Sequence, residues 1–510
     1  MSVDKERHVS ESPSLQGGDW PAINDRTKDD ALDYLQQHKN EINAALSHDA
    51  VYMKRLRRKI DIYVISFLTF CYIMNFLDKI LLNYAKVMGL TKDAHLHGQN
   101  FSNASSAFFI AVLIMTAPNI FLLQRLPAAK YLGATLFLWG IATASMASVH
   151  NYGGLLTVRI FCGIFESAIP PSLMLISSQW YTRKQQASRF ALWYMGIGLG
   201  QVLGGLISWA FQHVSVGASL AGWRIMFVVL GCVTLVVSTG IFFLVPDTPM
   251  QAWFLKDEEK VALLEHVKVN QTGIENRHFV PSQIVEGFCD LKMYGLGLIM
   301  CLQGTGGGVV TTYSATILKG YGYTSERTAL LNMGTGAVTC ASTLLCGYGV
   351  RYFGHRWAWI IAMTIPTIIG AGLMAWLPTT NKSGALAGVY LVNTFLGTTP
   401  IIYQWFTANT AGHTKRAFGS AVMNGAFAIG NIIGPQTFQD RDAPGYQPAK
   451  IAMVALQAAV ILVCVLLFGY LVWENKKRAQ KSSEDVAEVE DAKAYAGLTD
   501  KQNLELRYEY

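Results

Sequence analysis

Apolar residues in this chain gather into runs of roughly 20 between residues 60 and 473, about the length a helix rising 1.5 Å per residue needs to cross a bilayer. The runs fall at 60–83, 101–124, 131–149, 153–178, 188–211, 223–245, 292–318, 328–350, 357–377, 384–406, 418–438 and 450–473. They predict an all-α membrane protein of about twelve transmembrane helices. Polar stretches divide the chain into a tail over 1–59, six spans over 60–245, a linker over 246–291, six spans over 292–473 and a tail over 474–510. Residues 1–50 and 479–510 are charged and poor in aromatics until Tyr508 and Tyr510, a composition that predicts disorder. The polar start also leaves no cleavable signal sequence. In the linker, an amphipathic pattern predicts one helix around Asp257–Val269.

Composition agrees with a membrane setting. Hydrophobic residues make up 51% of the chain and charged residues only 15%, against about 25% charged in soluble domains. The net charge of +7 marks topology rather than a nucleic-acid partner. Lys54, Arg55, Arg57, Arg58 and Lys59 precede the first run. Basic residues then follow alternate runs: Arg125 and Lys130; Arg183, Lys184 and Arg189; Arg351, His355 and Arg356; Lys415 and Arg416; Lys476, Lys477 and Arg478. The loops 147–154 and 212–222 contain no Lys or Arg. Positive residues gather on the cytoplasmic side, so both termini and the linker are expected in the cytoplasm, and an even number of spans follows. Asn270-Gln271-Thr272 then matches a glycosylation acceptor on the wrong side, and Asn381-Lys382-Ser383 lies in a very short external loop. The eight cysteines lie almost entirely in apolar runs, without the spacing of a disulfide framework or a zinc site.

The chain also repeats itself. Gln179-Trp180-Tyr181-Thr182 returns as Gln404-Trp405-Phe406-Thr407, an offset of 404 − 179 = 225. Gly200-Gln201-Val202-Leu203-Gly204-Gly205 returns as Gly430-Asn431-Ile432-Ile433-Gly434-Pro435, an offset of 430 − 200 = 230. Two matches in one order, six runs apart, indicate a duplicated six-helix unit. Transporters use such repeats and hold substrate near the midplane between them. The small residues suit close helix packing.

Charges inside the runs carry the chemistry, because a charge at the bilayer centre costs roughly 2.5–3.5 kcal/mol and usually faces a cavity. The first run holds Asn75, Asp78, Lys79 and Asn83, and the fourth holds Arg159, Gly163 and Glu166 at i, i+4 and i+7. Each set lies near one helical face. A cation and an acid on each of two helices suit proton-coupled transport of an anion, with Lys79 and Arg159 facing a carboxylate and Asp78 and Glu166 taking protons. Structural ion pairs Asp78–Lys79 and Arg159–Glu166 are the bland alternative. The second half offers uncharged candidates, Tyr313, Gln404, Asn409, Asn424 and Asn431, each equally suited to helix–helix hydrogen bonding. Gly304-Thr305-Gly306-Gly307-Gly308 lacks the Lys-Ser/Thr of a phosphate loop and predicts a bend in the seventh span. Pro170-Pro171, Pro400 and Pro435 predict kinks. His95 and His97 read as a solvated loop, so no metal or cofactor site is expected, and no nucleophile or metal cluster suggests a membrane-embedded enzyme.

Ala411-Gly412-His413-Thr414-Lys415-Arg416, Gly430-Asn431-Ile432-Ile433-Gly434-Pro435-Gln436 and Asp442-Ala443-Pro444 resemble the fungal allantoate permease family. That family belongs to the anion:cation symporters of the major facilitator superfamily. Asn75-Phe76-Leu77-Asp78-Lys79, Arg159-Ile160-Phe161-Cys162-Gly163-Ile164-Phe165-Glu166 and Gly222-Trp223-Arg224 resemble its other motifs, and the likeness covers roughly 55–475. The resemblance implies two pseudo-symmetric six-helix halves, in a multi-pass protein of a fungal plasma membrane that works as a monomer. It also implies proton-coupled uptake of a small carboxylate nutrient or vitamin, with the proton sites of related anion symporters falling on Asp78 and Glu166 and their substrate cation on Lys79. Two departures stand out. Lys79 replaces the family's Arg, a point charge for a bidentate fork, and the superfamily's loop aspartate is missing from Gln124–Tyr131 and Gly347–Arg356. Alternatives are proton-antiport export of a metabolite, or a nutrient sensor on a transporter fold.

Overall fold

The computed structural model describes residues 50–214, 220–268, 280–378, 381–439, 442, 445–482, 499–502 and 506–510. Twelve helices among them are long and apolar enough to cross a membrane: Val51–Met88, Asn100–Leu123, Ala128–Ser148, Tyr152–Ser177, Ser188–Gln212, Gly222–Leu244, Leu291–Gly320, Ser325–Phe353, Arg356–Trp376, Lys382–Ala408, Thr414–Gln436 and Gln447–Gln480. We call them the first to twelfth spans. Each matches one apolar run, and no strand occurs among the described residues. Large apolar side chains such as Val236, Phe243, Leu462 and Trp473 point outward and are mostly exposed, as a lipid-facing surface requires. All eight cysteines are free.

The first span departs most from its run. It continues past Asn83 to Met88, where Gly89, at φ 120°, ends the helix. Asp78 therefore lies 88 − 78 = 10 residues from that end, roughly 15 Å at the helical rise, and so deep in the bundle rather than near its rim. Three spans are broken. The fourth is a helix Tyr152–Glu166 followed by a second helix Ile169–Trp180 with Pro at its start. The fifth changes helix at Met195. The tenth runs Lys382–Val392, then a 3₁₀ segment Asn393–Thr398, then Thr399–Ala408 with Pro400 near its start. Pro170-Pro171 and Pro400 thus mark breaks, as expected.

The seventh span corrects one expectation. It is a continuous helix through Gly304–Gly308, unbroken there. Its glycines admit the eleventh span instead: a Cβ on Gly304 would lie 2.6 Å from the Phe427 carbonyl oxygen, and one on Gly430 2.1 Å from that of Cys301.

Outside the spans, the linker helix appears as Asp257–Lys268 and is tied to the amino half by Lys59–Glu259 at 2.7 Å. A second short helix, Pro281–Phe288, precedes the seventh span. The amino-terminal tail through residue 49, the acceptor Asn270–Thr272 and residues 443–444 of the late motif lie outside the described residues. The carboxy-terminal tail corrects another expectation. Its last segment is docked rather than disordered, with Asp500 wholly buried and Tyr508 buried.

Candidate functional site

The first and fourth spans meet through two crossed ion pairs. Asp78 and Lys79 are neighbours on one helix, so their side chains leave it about 100° apart and find different partners. Arg159 Nη1 donates to Asp78 Oδ2 at 2.9 Å, and Thr143 Oγ1 lies 3.4 Å from the other carboxylate oxygen. Lys79 leans back toward the amino end of its helix, donating to Asn75 Oδ1 at 2.9 Å and to the Glu166 carboxylate. Neither bland pair forms; the charges bridge helices instead. Glu166 is the last residue of its half-helix, so the break in the fourth span opens beside it.

Phe108 of the second span supports both cations, its ring centroid 4.5 Å from Arg159 Cζ and 5.5 Å from Lys79 Nζ. It comes this close because of Gly163, where a Cβ would lie 2.3 Å from the Phe108 carbonyl oxygen. The charged groups are almost wholly buried, with Asp78 at 0%, Arg159 at 2% and Glu166 at 4% exposure. Yet Asn75 Nδ2, Arg159 Nε and Glu166 Oε2 find no hydrogen-bond partner among the described residues. Buried polar atoms are normally paired, so two spare N–H donors and a spare carboxylate oxygen stand together in this cluster.

The remaining sequence candidates lie elsewhere. The Asn83 amide sits 3.0 Å from Ser314 Oγ across the halves, where Asn332 Nδ2 also donates to Tyr84 Oη at 2.9 Å. Tyr313 shares a 2.5 Å hydrogen bond with Ser102 and stacks on Phe438 at 4.7 Å. Lys86 Nζ lies 4.6 Å from the Tyr313 ring and 4.5 Å from that of Phe101. Asn83 and Tyr313 therefore belong to a seam that joins the halves at the end of the first span remote from its amino terminus. Asn431 donates to its own helix at Phe427 O, 2.9 Å, beside the glycines of the seventh span. Asn424 accepts from Tyr403 Oη at 2.7 Å. Gln404 Oε1 accepts from Arg356 Nε at 3.2 Å, and Asn409 exchanges hydrogen bonds with the Glu509 backbone. The structure thus groups Asn75, Asp78, Lys79, Arg159 and Glu166, and leaves Asn83, Tyr313, Gln404, Asn424 and Asn431 outside that cluster. Phe108 and Thr143 join it unannounced, because nothing in an apolar run distinguishes a ring under a guanidinium from a ring in lipid. Below Asn75, one turn away, Tyr72 packs on Trp193 at 4.9 Å and on Tyr194 at 5.1 Å. No group of three or more His, Cys, Asp and Glu able to hold a metal occurs among the described residues.

A family model described as Major Facilitator Superfamily matches residues 68–435. The chain belongs to that superfamily. Full-length relatives narrow its place within it. It is 34% identical over 526 residues to a thiamine pathway transporter of Saccharomyces cerevisiae, covering 100% of this chain and 98% of that one. It is 29% identical over 493 residues to the allantoate permease of the same yeast, covering 94% and 90%. An uncharacterized transporter of Schizosaccharomyces pombe is 32% identical over 457 residues, with 89% of each chain covered. A bacterial homolog of the human lysosomal transporter Spinster, solved inward-facing and occupied, shares the fold with TM-score 0.54, 16% identity and coverage of 79% of this chain and 94% of that one. The major facilitator protein described here is thus a secondary transporter of the fungal allantoate permease family, not an enzyme. Lys79 forms a single-point contact with Glu166.

Proposed function

We propose that this major facilitator protein imports a small organic anion across the plasma membrane together with protons, by alternating access. The observation that carries the reading is the crossed quartet with its unspent hydrogen-bonding capacity. Arg159 Nε and Asn75 Nδ2 are free to donate, the Lys79 ammonium could exchange its Glu166 contact for a third, and a carboxylate is the acceptor-only group that three such donors suit. An arriving anion would compete with Asp78 and Glu166 for their cations. Whichever acid loses its partner is then disfavoured as a buried anion and takes a proton. Binding and protonation thereby favour each other. With both termini in the cytoplasm, as the Lys and Arg asymmetry indicates, the seam of Asn83, Ser314, Tyr313 and Ser102 faces outside. It would be the door that opens to admit substrate.

The names of the relatives point two ways, since allantoate carries a carboxylate and thiamine is a cation. The three donors favour the anion. The test is uptake of a panel of radiolabelled carboxylates, with thiamine alongside, by a transport-deficient yeast with and without an uncoupler. Uncoupler-sensitive accumulation of a carboxylate is expected. Glu166→Gln keeps the shape and removes the proton, so it should abolish uphill accumulation while sparing exchange of internal for external substrate. Wild-type accumulation in that variant would refute proton coupling through Glu166, and uptake of thiamine alone would refute the anion.

A further inference from the structure

The carboxy-terminal segment occupies a site built for it on the end of the carboxy half that bears the tail, and the duplication shows what is unusual there. In the amino half, Asp61 of the first span pairs with Arg189 of the fifth at 2.9 Å, and Tyr181 Oη donates to the same aspartate at 2.8 Å. The carboxy half repeats the pair as Asp290 and Lys415 at 2.8 Å, with offsets of 290 − 61 = 229 and 415 − 189 = 226, close to those of the repeated motifs. It then departs in two places. The counterpart of Tyr181 is Phe406, 225 residues on, which has no hydroxyl. Two residues beyond Asp290 stands Lys292, a cation only 1% exposed, where the amino half has Tyr63.

The tail supplies the hydroxyl and adds a carboxylate for Lys292 beside that of Asp290, 3.1 Å away. Asp500 pairs with Lys292 and with Lys415 at 2.8 Å. Tyr508 Oη donates to Asp500 at 2.8 Å and accepts from Lys292 at 3.1 Å. From this anchor the segment reaches the tenth span. The Glu509 carbonyl accepts from Trp405 Nε1 at 2.9 Å and from Asn409 Nδ2 at 2.7 Å. Its amide donates to Asn409 Oδ1 at 2.7 Å, and its carboxylate meets Arg356 of the ninth span at 2.5 Å. Asn475 of the twelfth span holds Tyr508 by both backbone groups.

Trp405 and Asn409 sit on and just beyond the half-helix Thr399–Ala408, which follows the 3₁₀ break at Asn393–Thr398 and packs against the fifth span of the opposite half. A half-helix on a hinge, touching the other half, is the part of this bundle best placed to swing when the two halves part on the tail's side. We propose that the segment containing Asp500, Tyr508 and Glu509 is an in-cis latch on that half-helix. Docked, it ties Thr399–Ala408 to the seventh, ninth and twelfth spans and restrains its swing. Released, it frees the half-helix and speeds the change of state. The charges of Lys292, Lys415 and Arg356 hold the segment in place. The proposal needs only the transporter fold and is independent of the anion reading.

The test uses the full chain in nanodiscs and follows amide hydrogen exchange. In the double variant Asp500→Asn, Glu509→Gln, exchange over 399–409 should rise at least tenfold while 382–392, on the other side of the break, keeps its parental protection. Adding Lys501→Cys and joining it to the exposed native Cys289, whose carbonyl accepts from the Lys501 ammonium at 3.1 Å, with a short bismaleimide should restore the slow exchange. Unchanged protection over 399–409 once the tail is released would overturn the latch. So would a rise spread evenly over the carboxy half, which is the mark of a structural staple.

Discussion

Lys79 and Arg159 approach one phenyl ring from two helices, and each holds an acid belonging to the other's helix. A buried cation whose partner is removed is costly, and so is a buried acid left behind by a mutated cation. The quartet is therefore balanced in charge. On the proposed reading, Lys79→Ala and Arg159→Ala each remove a donor that the substrate carboxylate uses. The half-saturating concentration should rise at least ~10-fold, equivalent to about 1.4 kcal/mol. Lys79→Arg should retain transport, because it restores the family's residue and adds a second N–H to the same place. If the cations were scaffolding alone, the alanine variants would lose folded protein while the surviving fraction kept its affinity. Affinity measured on purified, monodisperse variant separates the outcomes.

At the scale of elements, the helix breaks and the glycine seams decide where those residues stand. Gly163 is the sharpest case: its missing side chain lets the fourth span lie against the Phe108 carbonyl. Gly163→Ala should push these helices apart, at about 1–3 kcal/mol for overpacking, and tilt Phe108 away from both cations. A thermal melt in detergent should fall by several degrees, and a melt equal to the parent's would show that the second span yields without cost. Much of this level was legible beforehand. Runs of bilayer length predict the twelve spans, Pro170-Pro171 and Pro400 predict the breaks in the fourth and tenth, and i, i+4, i+7 spacing predicts the stripe of Arg159, Gly163 and Glu166. Spacing along one helix carries no information about which neighbour it meets. The bland alternative pairs Asp78 with Lys79 and Arg159 with Glu166, whereas the structure crosses them. Nor does spacing tell that the glycines of the seventh span form a seam for the eleventh. The apolar run also ends the first span at Asn83, because a polar residue closes such a run even when, as here, it pairs with Ser314 across the halves.

The docked tail belongs to the whole molecule, and composition concealed it: a charged segment reads as disordered unless buried partners of opposite sign are waiting, and Lys292 and Lys415 are revealed only by the fold. Its dependence on pH follows from its charges. Burial alone would raise the Asp500 carboxyl, but Lys292 and Lys415 outweigh burial and hold it below the usual carboxylate range. Docking is therefore fully supported above the free aspartate value of about 3.9 and is lost as pH falls through the lower, docked value. Tyr508 is shifted upward, first by burial and then by the Asp500 charge. Its neutral phenol is the docked form, so docking weakens once pH rises past the free tyrosine value of about 10. The other charged groups on the cluster are Glu286, Asp290 and Arg478, and none of the groups named is a histidine. A nitroxide attached at exposed Arg507→Cys should accordingly report an immobile tail from about pH 5 to pH 9, mobility appearing only below roughly pH 4 or above roughly pH 10. Release centred near pH 6–7 would mean that a group outside this cluster governs the latch, and the assignment of Asp500 as its pin would fall with it.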